Sequence, residues 1–164
     1  MLLLAPLMAL ALEVGSVPPL VTLDGDNGGR VDGTDWSSEM LRDKIHVLFY
    51  VDPDEKETNN AVADALKAKE FDRGSYASVA IINMAATWLP NFAIASSLEK
   101  KQEKFPHAIY VKDLHKTLVK EWKIADDSSN VLLFDKKGKL LFIHEGKLEK
   151  NQIDTLISLI EERI

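Results

Sequence analysis

The stretch YVDPDEKETNN, Tyr50 to Asn60, places Asp52, Asp54, Glu55 and Glu57 where an apolar run gives way to a helical pattern. Two kinds of chemistry fit those acids. Asp54-x-x-Glu57 at a helix start has the form of a capping box, in which the first acid accepts from a free amide near the second and the second reaches back. Such a pair also sits well on the helix dipole and contributes about 1 kcal/mol. Alternatively the acids form a cluster that takes a cation or a basic partner. Paired carboxylates also perform acid/base catalysis, but that requires a second acid at a working distance, and spacing places none there.

Other chemistry-bearing patterns are weaker. Asp24, Asp26, Gly29 and Asp35 occupy the first, third, sixth and twelfth places of a calcium loop. Gly28 stands where the fifth-place ligand belongs, the last ligand is an aspartate, and no helices flank the loop, so a turn built on asparagine and glycine accounts for the same residues. His46, His107, His115 and His144 have no metal-ligand spacing. No GxSxG, P-loop or GxGxxG occurs. Trp88, beside Pro90 in an irregular stretch, is the candidate for an exposed aromatic contact, with a lid over the core as its alternative. The 164 residues contain no cysteine, which excludes dithiol and peroxidatic chemistry and thiolate metal sites.

These residues need a scaffold, and the composition supplies one. With 46% hydrophobic and 28% charged residues the chain reads as globular, neither disordered nor membrane-embedded. A net charge of −6 opposes general attraction to nucleic acid or anionic lipid, though it leaves room for a local basic patch, so no nucleic-acid partner and no stable membrane anchor are expected. The apolar run Leu2 to Leu12 is too short to span a bilayer, which takes about 20 apolar residues. It closes on Ala9-Leu10-Ala11, the small-x-small form of a secretory cleavage site. Residues 1–11 are therefore expected to be a signal-peptide remnant and 12–164 one domain, the alternative being a native terminal strand or helix packed on that domain.

Val17 to Leu23 has an extended pattern, Asp24 to Asp35 reads as a polar loop, and Trp36 to Met40 as a turn of helix. Ile45 to Val51, IHVLFYV, is a strand buried on both faces. The following helix aligns Ala61, Val62, Ala65 and Leu66 on one face. Ser78 to Met84 is a second buried strand, and the β-α-β unit so formed implies parallel pairing through a right-handed crossover. Phe92 to Lys104 reads as a helix with Ile94, Leu98 and Phe105 as its stripe. Ala108 to Val111 reads as a strand, and Asp113 to Trp122 as a short helix, with a strand as its alternative. Asn130 to Asp135 and Lys139 to His144 form a hairpin around Gly138. Leu148 to Ile164 is an amphipathic helix with Ile153, Leu156, Ile157, Ile160 and Ile164 as its stripe.

A parallel β-α-β half followed by an antiparallel β-β-α half is the thioredoxin arrangement, a three-layer α/β/α sandwich on a central mixed sheet. Within that order, VGSVPPL, LPNFAIASSLEKKQEKFP and EWKIADDSSNVLLFDKKGKLLF followed by Gly146 resemble the YtfJ-like family of exported bacterial thioredoxin-fold proteins. The resemblance spans Glu13 to Ile164 and implies the fold and a periplasmic location, with no assigned activity. Laid on the thioredoxin-like pattern, the two thiol positions fall on about Asp54 and Glu57. The facing cis-proline falls on about Ser129, where a serine disfavours a cis bond by about 3 kcal/mol. The reading is a noncatalytic module without cofactor that binds a peptide or protein through Asp54, Glu57, Trp88 and Ser129. The alternative is a carboxylate- or metal-dependent enzyme acting at Asp54 and Glu57.

Overall fold

The structure is a computed structural model that describes residues 12–164, so the expected signal-peptide remnant lies outside the described residues. Its main sheet contains β2 (Gly28–Arg30), β4 (Ile45–Val51), β5 (Tyr76–Asn83), β6 (Ile109–Asp113), β7 (Ser129–Phe134) and β8 (Leu140–Glu145). They lie side by side in the order β2-β6-β5-β4-β7-β8. The pairs β4 with β5 and β5 with β6 are parallel, and the remaining pairs are antiparallel. Helices α1 (Asn60–Lys69), α2 (Asn91–Lys104), α3 (Thr117–Trp122) and α4 (Lys150–Glu161) complete the sandwich. This is the expected α/β/α architecture on a mixed sheet.

Strand alternation divides the core between the two faces of the sheet. Leu48, Tyr50, Val79, Ile81, Val111, Leu132 and Phe134 face Leu118 and Trp122 of α3, together with Val21, Leu23, Trp36 and Leu41 from the N-terminal segment. On the other face, Val47, Val131 and Leu133 pack against Val62 and Leu66 of α1 and Leu156, Ile157 and Ile160 of α4. Beside that cluster, Val51 and Ile82 meet Ile94 and Leu98 of α2.

Three local expectations are corrected. The glycine-rich stretch contributes β2, an edge strand on β6, rather than being loop throughout. There Gly28 has φ +137°, and a Cβ would lie 1.9 Å from the Lys112 carbonyl oxygen, so only glycine lets the strands close. Trp36–Ser37 is a short strand, β3, paired with β1 (Thr22–Leu23), because burying Trp36 against the sheet requires an extended backbone; a 3-10 turn follows at Ser38–Met40. Finally, Asp113 belongs to β6 and α3 begins only at Thr117. The stripes also overreach at their ends, since Phe105 and Ile164 are exposed.

Asp113 explains the delayed start of α3. Its fully buried carboxylate accepts from the backbone N–H groups of Thr117 (2.9 Å), Leu118 (3.0 Å) and His115 (3.3 Å) and from the Tyr50 hydroxyl (2.9 Å). It thus does the work of a helix cap from the end of a strand and ties α3 to β4. Every group facing it is a donor, so an amide replacement would set its own NH2 against donors that had an acceptor before. Asp113→Asn should destabilise by about 2–4 kcal/mol and Tyr50→Phe by about 1 kcal/mol, measured by chemical denaturation.

Candidate functional site

The four residues singled out from sequence meet different fates. Asp54 lies in a 3-10 turn (Pro53–Glu55) just beyond β4, and Glu57 lies three residues further, before α1 begins; both are exposed. Trp88 follows β5 and is 87% exposed. Ser129 opens β7 and is 2% exposed, so it forms no part of a surface. The structure therefore puts Asp54, Glu57 and Trp88 at the carboxyl ends of two neighbouring parallel strands and withdraws Ser129 into the fold.

The capping reading of Asp54 and Glu57 is also corrected. Pro53 occupies the first position of the 3-10 turn, where a missing N–H costs nothing, and this makes Asp52 the cap. The Asp52 carboxylate accepts from the Asp54 N–H at 2.9 Å, while its own N–H donates to the Ser128 carbonyl at 2.9 Å. Helix α1 starts only at Asn60, beyond the reach of an Asp54 cap. Among the described residues, neither the Asp54 nor the Glu57 side chain makes a hydrogen bond within the protein, although both backbones do.

The residue that organises this corner is Asn59, which carried no motif. It precedes α1, yet its side chain leaves the helix end and turns inward. Its Nδ2 donates to Ser129 Oγ at 2.9 Å and to the Gly146 carbonyl at 3.0 Å, and its Oδ1 accepts from the Leu148 N–H at 3.0 Å. One buried amide thus ties the entry of α1 to the start of β7 and to the turn between β8 and α4. Ser129 faces it because alternation from Val131 points that side chain toward the α1 and α4 layer.

On the opposite face, polar residues close the sheet at the edge formed by the carboxyl ends of β5 and β6 and the start of β7. Asn83 ends β5 and is paired in register with Asp113, while Asn130 is paired with Tyr50. Asn83 Nδ2 donates to Asp126 Oδ1 at 2.8 Å, and Lys116 Nζ donates to Asp126 Oδ2 at 2.6 Å. Burial pushes the Asp126 carboxyl up, but the bonds from Lys116 and Asn83 outweigh it and hold it below its ordinary value. Asn130 Nδ2 donates to the carbonyls of Tyr50 (3.2 Å) and Ala125 (2.9 Å). Burial, reinforced by Asp113, pushes the Tyr50 hydroxyl far upward, so it is a fixed donor. The available signal for these residues is a polar side chain at the end of each apolar run, as in SVAIIN and IYVKD. Among the described residues no three His, Asp or Glu side chains converge in a way that could hold a metal ion.

Asn59→Ala should lower stability by about 2–4 kcal/mol, because it orphans a buried N–H, a carbonyl and a hydroxyl. Alanine at Asp54 and at Glu57 should each cost under about 0.5 kcal/mol, where a working capping box would cost about 1 kcal/mol. Asp52 makes a pH prediction. Burial raises its pKa above the ordinary 3.8, assisted by Asp54, Asp127 and Glu55 and opposed by the bond from the Asp54 N–H. The folded state then holds the proton more tightly than the unfolded chain, so this contribution to stability is complete below pH 3.8 and lost as pH rises through the folded value. Asp52→Asn keeps an acceptor for the Asp54 N–H and should raise Tm at pH 7 while leaving it nearly unchanged at pH 3; a lower Tm at pH 7 would contradict this.

The sequence pattern of the family described as "Bacterial protein of unknown function (YtfJ_HI0045)" matches residues 22–163. An uncharacterized protein of Haemophilus influenzae is 29% identical over 128 residues, spanning 76% of this chain and 70% of that relative. The uncharacterized protein YtfJ of Escherichia coli is 26% identical over 174 aligned residues, spanning 98% of this chain and 92% of its own. Among solved structures, a thiol-disulfide isomerase from Corynebacterium glutamicum superposes with a TM-score of 0.64 at 17% identity, covering 90% of this chain and 98% of that one. A peroxiredoxin-like protein from Aquifex aeolicus gives a TM-score of 0.64 at 12% identity, covering 94% and 89%. At such identities these structures speak to the fold alone, and the absence of cysteine separates this chain from thiol chemistry. The chain belongs to the YtfJ family of bacterial proteins of unknown function and has a thioredoxin-like fold.

Proposed function

We propose that this protein is a noncatalytic binding module of the bacterial periplasm that holds a peptide or protein at the carboxyl ends of β4 and β5. The observation that carries this reading is the cluster of large apolar side chains left in solvent at the start of α2. Trp88 is 87%, Phe92 77% and Leu89 37% exposed, within five residues of chain. Contiguous exposed apolar surface of this kind marks interaction sites, and tryptophan is prominent among residues that anchor interfaces.

The chemistry of the surroundings narrows the partner. Asp54, Glu55 and Glu57 are exposed beyond β4, and Asp127 is exposed in the loop before β7. An acidic rim beside aromatic anchors suits a polypeptide with basic and apolar residues, the charge steering the encounter and the rings holding the complex. Ser129 contributes by positioning the β7 start rather than by contact. The periplasmic location rests on the cleavage-site form of residues 1–11 and on the exported family that the sequence resembles.

Crosslinking capture from periplasm tests both parts of the proposal. Wild-type protein should recover a reproducible polypeptide partner, and the Trp88→Ala/Phe92→Ala variant should lose it, each anchor being worth about 2 kcal/mol or some thirtyfold in affinity. Both substituted side chains are exposed, so the variant should keep the wild-type Tm. Equal recovery by the variant, or a chain absent from the periplasmic fraction, would overturn the reading.

A further inference from the structure

The sheet is not evenly covered. Strand β5 lies in the interior of the sheet, yet Tyr76, Ala77, Ser78 and Ala80 are only partly buried. Tyr76, Ala77 and Ser78 line a groove of about 590 Å³ whose walls are α1, the end of α2 and the loop that follows it. Its floor and walls include Phe49, Phe71, Tyr76, Phe105 and Tyr110. Phe105 is 40% exposed, so a ring that sequence placed in the core instead borders the groove. The volume lies within the roughly 300–1,000 Å³ of small-molecule sites, and such sites are typically apolar with a few polar groups that fix orientation.

The polar groups here gather toward one end of the groove. Lys67 and Lys104 come from the last turns of α1 and α2, and Arg73 comes from the loop between α1 and β5. Arg73 Nη1 donates to His107 Nε2 at 2.5 Å, and Lys104 Nζ lies 5.3 Å from the centre of the Phe105 ring. Asp64 and Glu70 also line the groove, but among the described residues none of Lys67, Arg73 and Lys104 has an acid within ion-pair distance. Lys67 and Lys104 offset the helix dipoles where they stand. Arg73 and His107 lie outside both helices and have no such role. An excess of cations around an aromatic trough, in a chain of net charge −6, is a local reversal of the overall field.

We infer that the groove between α1 and α2 is a second binding site, distinct from the Trp88 surface, for an anionic amphiphile: an apolar chain lies over Phe49, Tyr76 and Tyr110, and its carboxylate meets Arg73 and Lys104. A cationic amphiphile would bring like charge to the same end. A neutral one would leave those cations uncompensated, so the site discriminates by head group and not by chain.

Calorimetric titration of the full chain with dodecanoate, below its micellar concentration, tests this. Dodecanoate should bind saturably at one site, and dodecyltrimethylammonium should not. The Arg73→Ala/Lys104→Ala variant changes exposed side chains only, should keep the wild-type Tm, and should weaken dodecanoate binding by roughly fivefold or more. Absence of saturable binding, equal binding of the cationic amphiphile, or unchanged affinity in the variant would each overturn the inference.

Discussion

The corner that opens α1 depends on one side chain. Asn59 joins the entry of α1 to the first residue of β7 and to the turn before α4, two pieces that are themselves linked by the Gly146 N–H donating to the Ser129 carbonyl at 2.9 Å. An amide suits this position because it offers two donors and an acceptor, which a carboxylate of the same size does not. The bonds to Ser129 and Leu148 are buried and the one to Gly146 half-buried, and in such a place a satisfied polar network stiffens its surroundings and a broken one is costly. The price of leaving α1 without a side-chain cap is small beside that.

With that clamp closed, the carboxyl edge of the sheet divides into a fixed part and an available part. The fixed part is the set of polar residues terminating the strands, in which Asp113 caps α3, Tyr50 donates to it, and Asn83 and Lys116 hold Asp126. The available part is what extends past these ends: the acids after β4 and the rings after β5. Redox relatives of the fold invite the expectation that chemistry happens at the α1 entry. In this chain that entry carries no thiol, and its buried groups are committed to one another. The proposed recognition rests instead on the exposed rings and on the groove beside α1.

The architecture was legible in the sequence because its strands are long, apolar and branched, and because the order of elements admits few topologies. IHVLFYV and NVLLFD declare buried strands by composition alone. What failed was decided by contacts distant in sequence. Trp36 pairs with Leu23 across the glycine-rich segment, and Gly28 is drawn onto β6 by a partner more than eighty residues away. The site was legible only in outline. Asp54 and Glu57 do follow β4, and Trp88 is exposed as one of its two alternatives has it, but the cap is Asp52 and not Asp54 because Pro53 sets the start of the turn. Ser129 was placed on a surface by analogy, and alternation along β7 buries it. Nothing in the sequence marks Asn59, since an asparagine before a helix reads as an ordinary cap and its true partners lie about 70 to 90 residues downstream.

The α1 entry is a structural joint locked by the hydrogen bonds of Asn59. The Leu148 amide reports on it directly, since its hydrogen is held by Asn59 Oδ1 at 3.0 Å. Native-state hydrogen exchange should show this amide opening with a free energy close to that of global unfolding and with a matching dependence on denaturant. Exchange of Leu148 through a local, denaturant-independent opening well below the global value would contradict the claim.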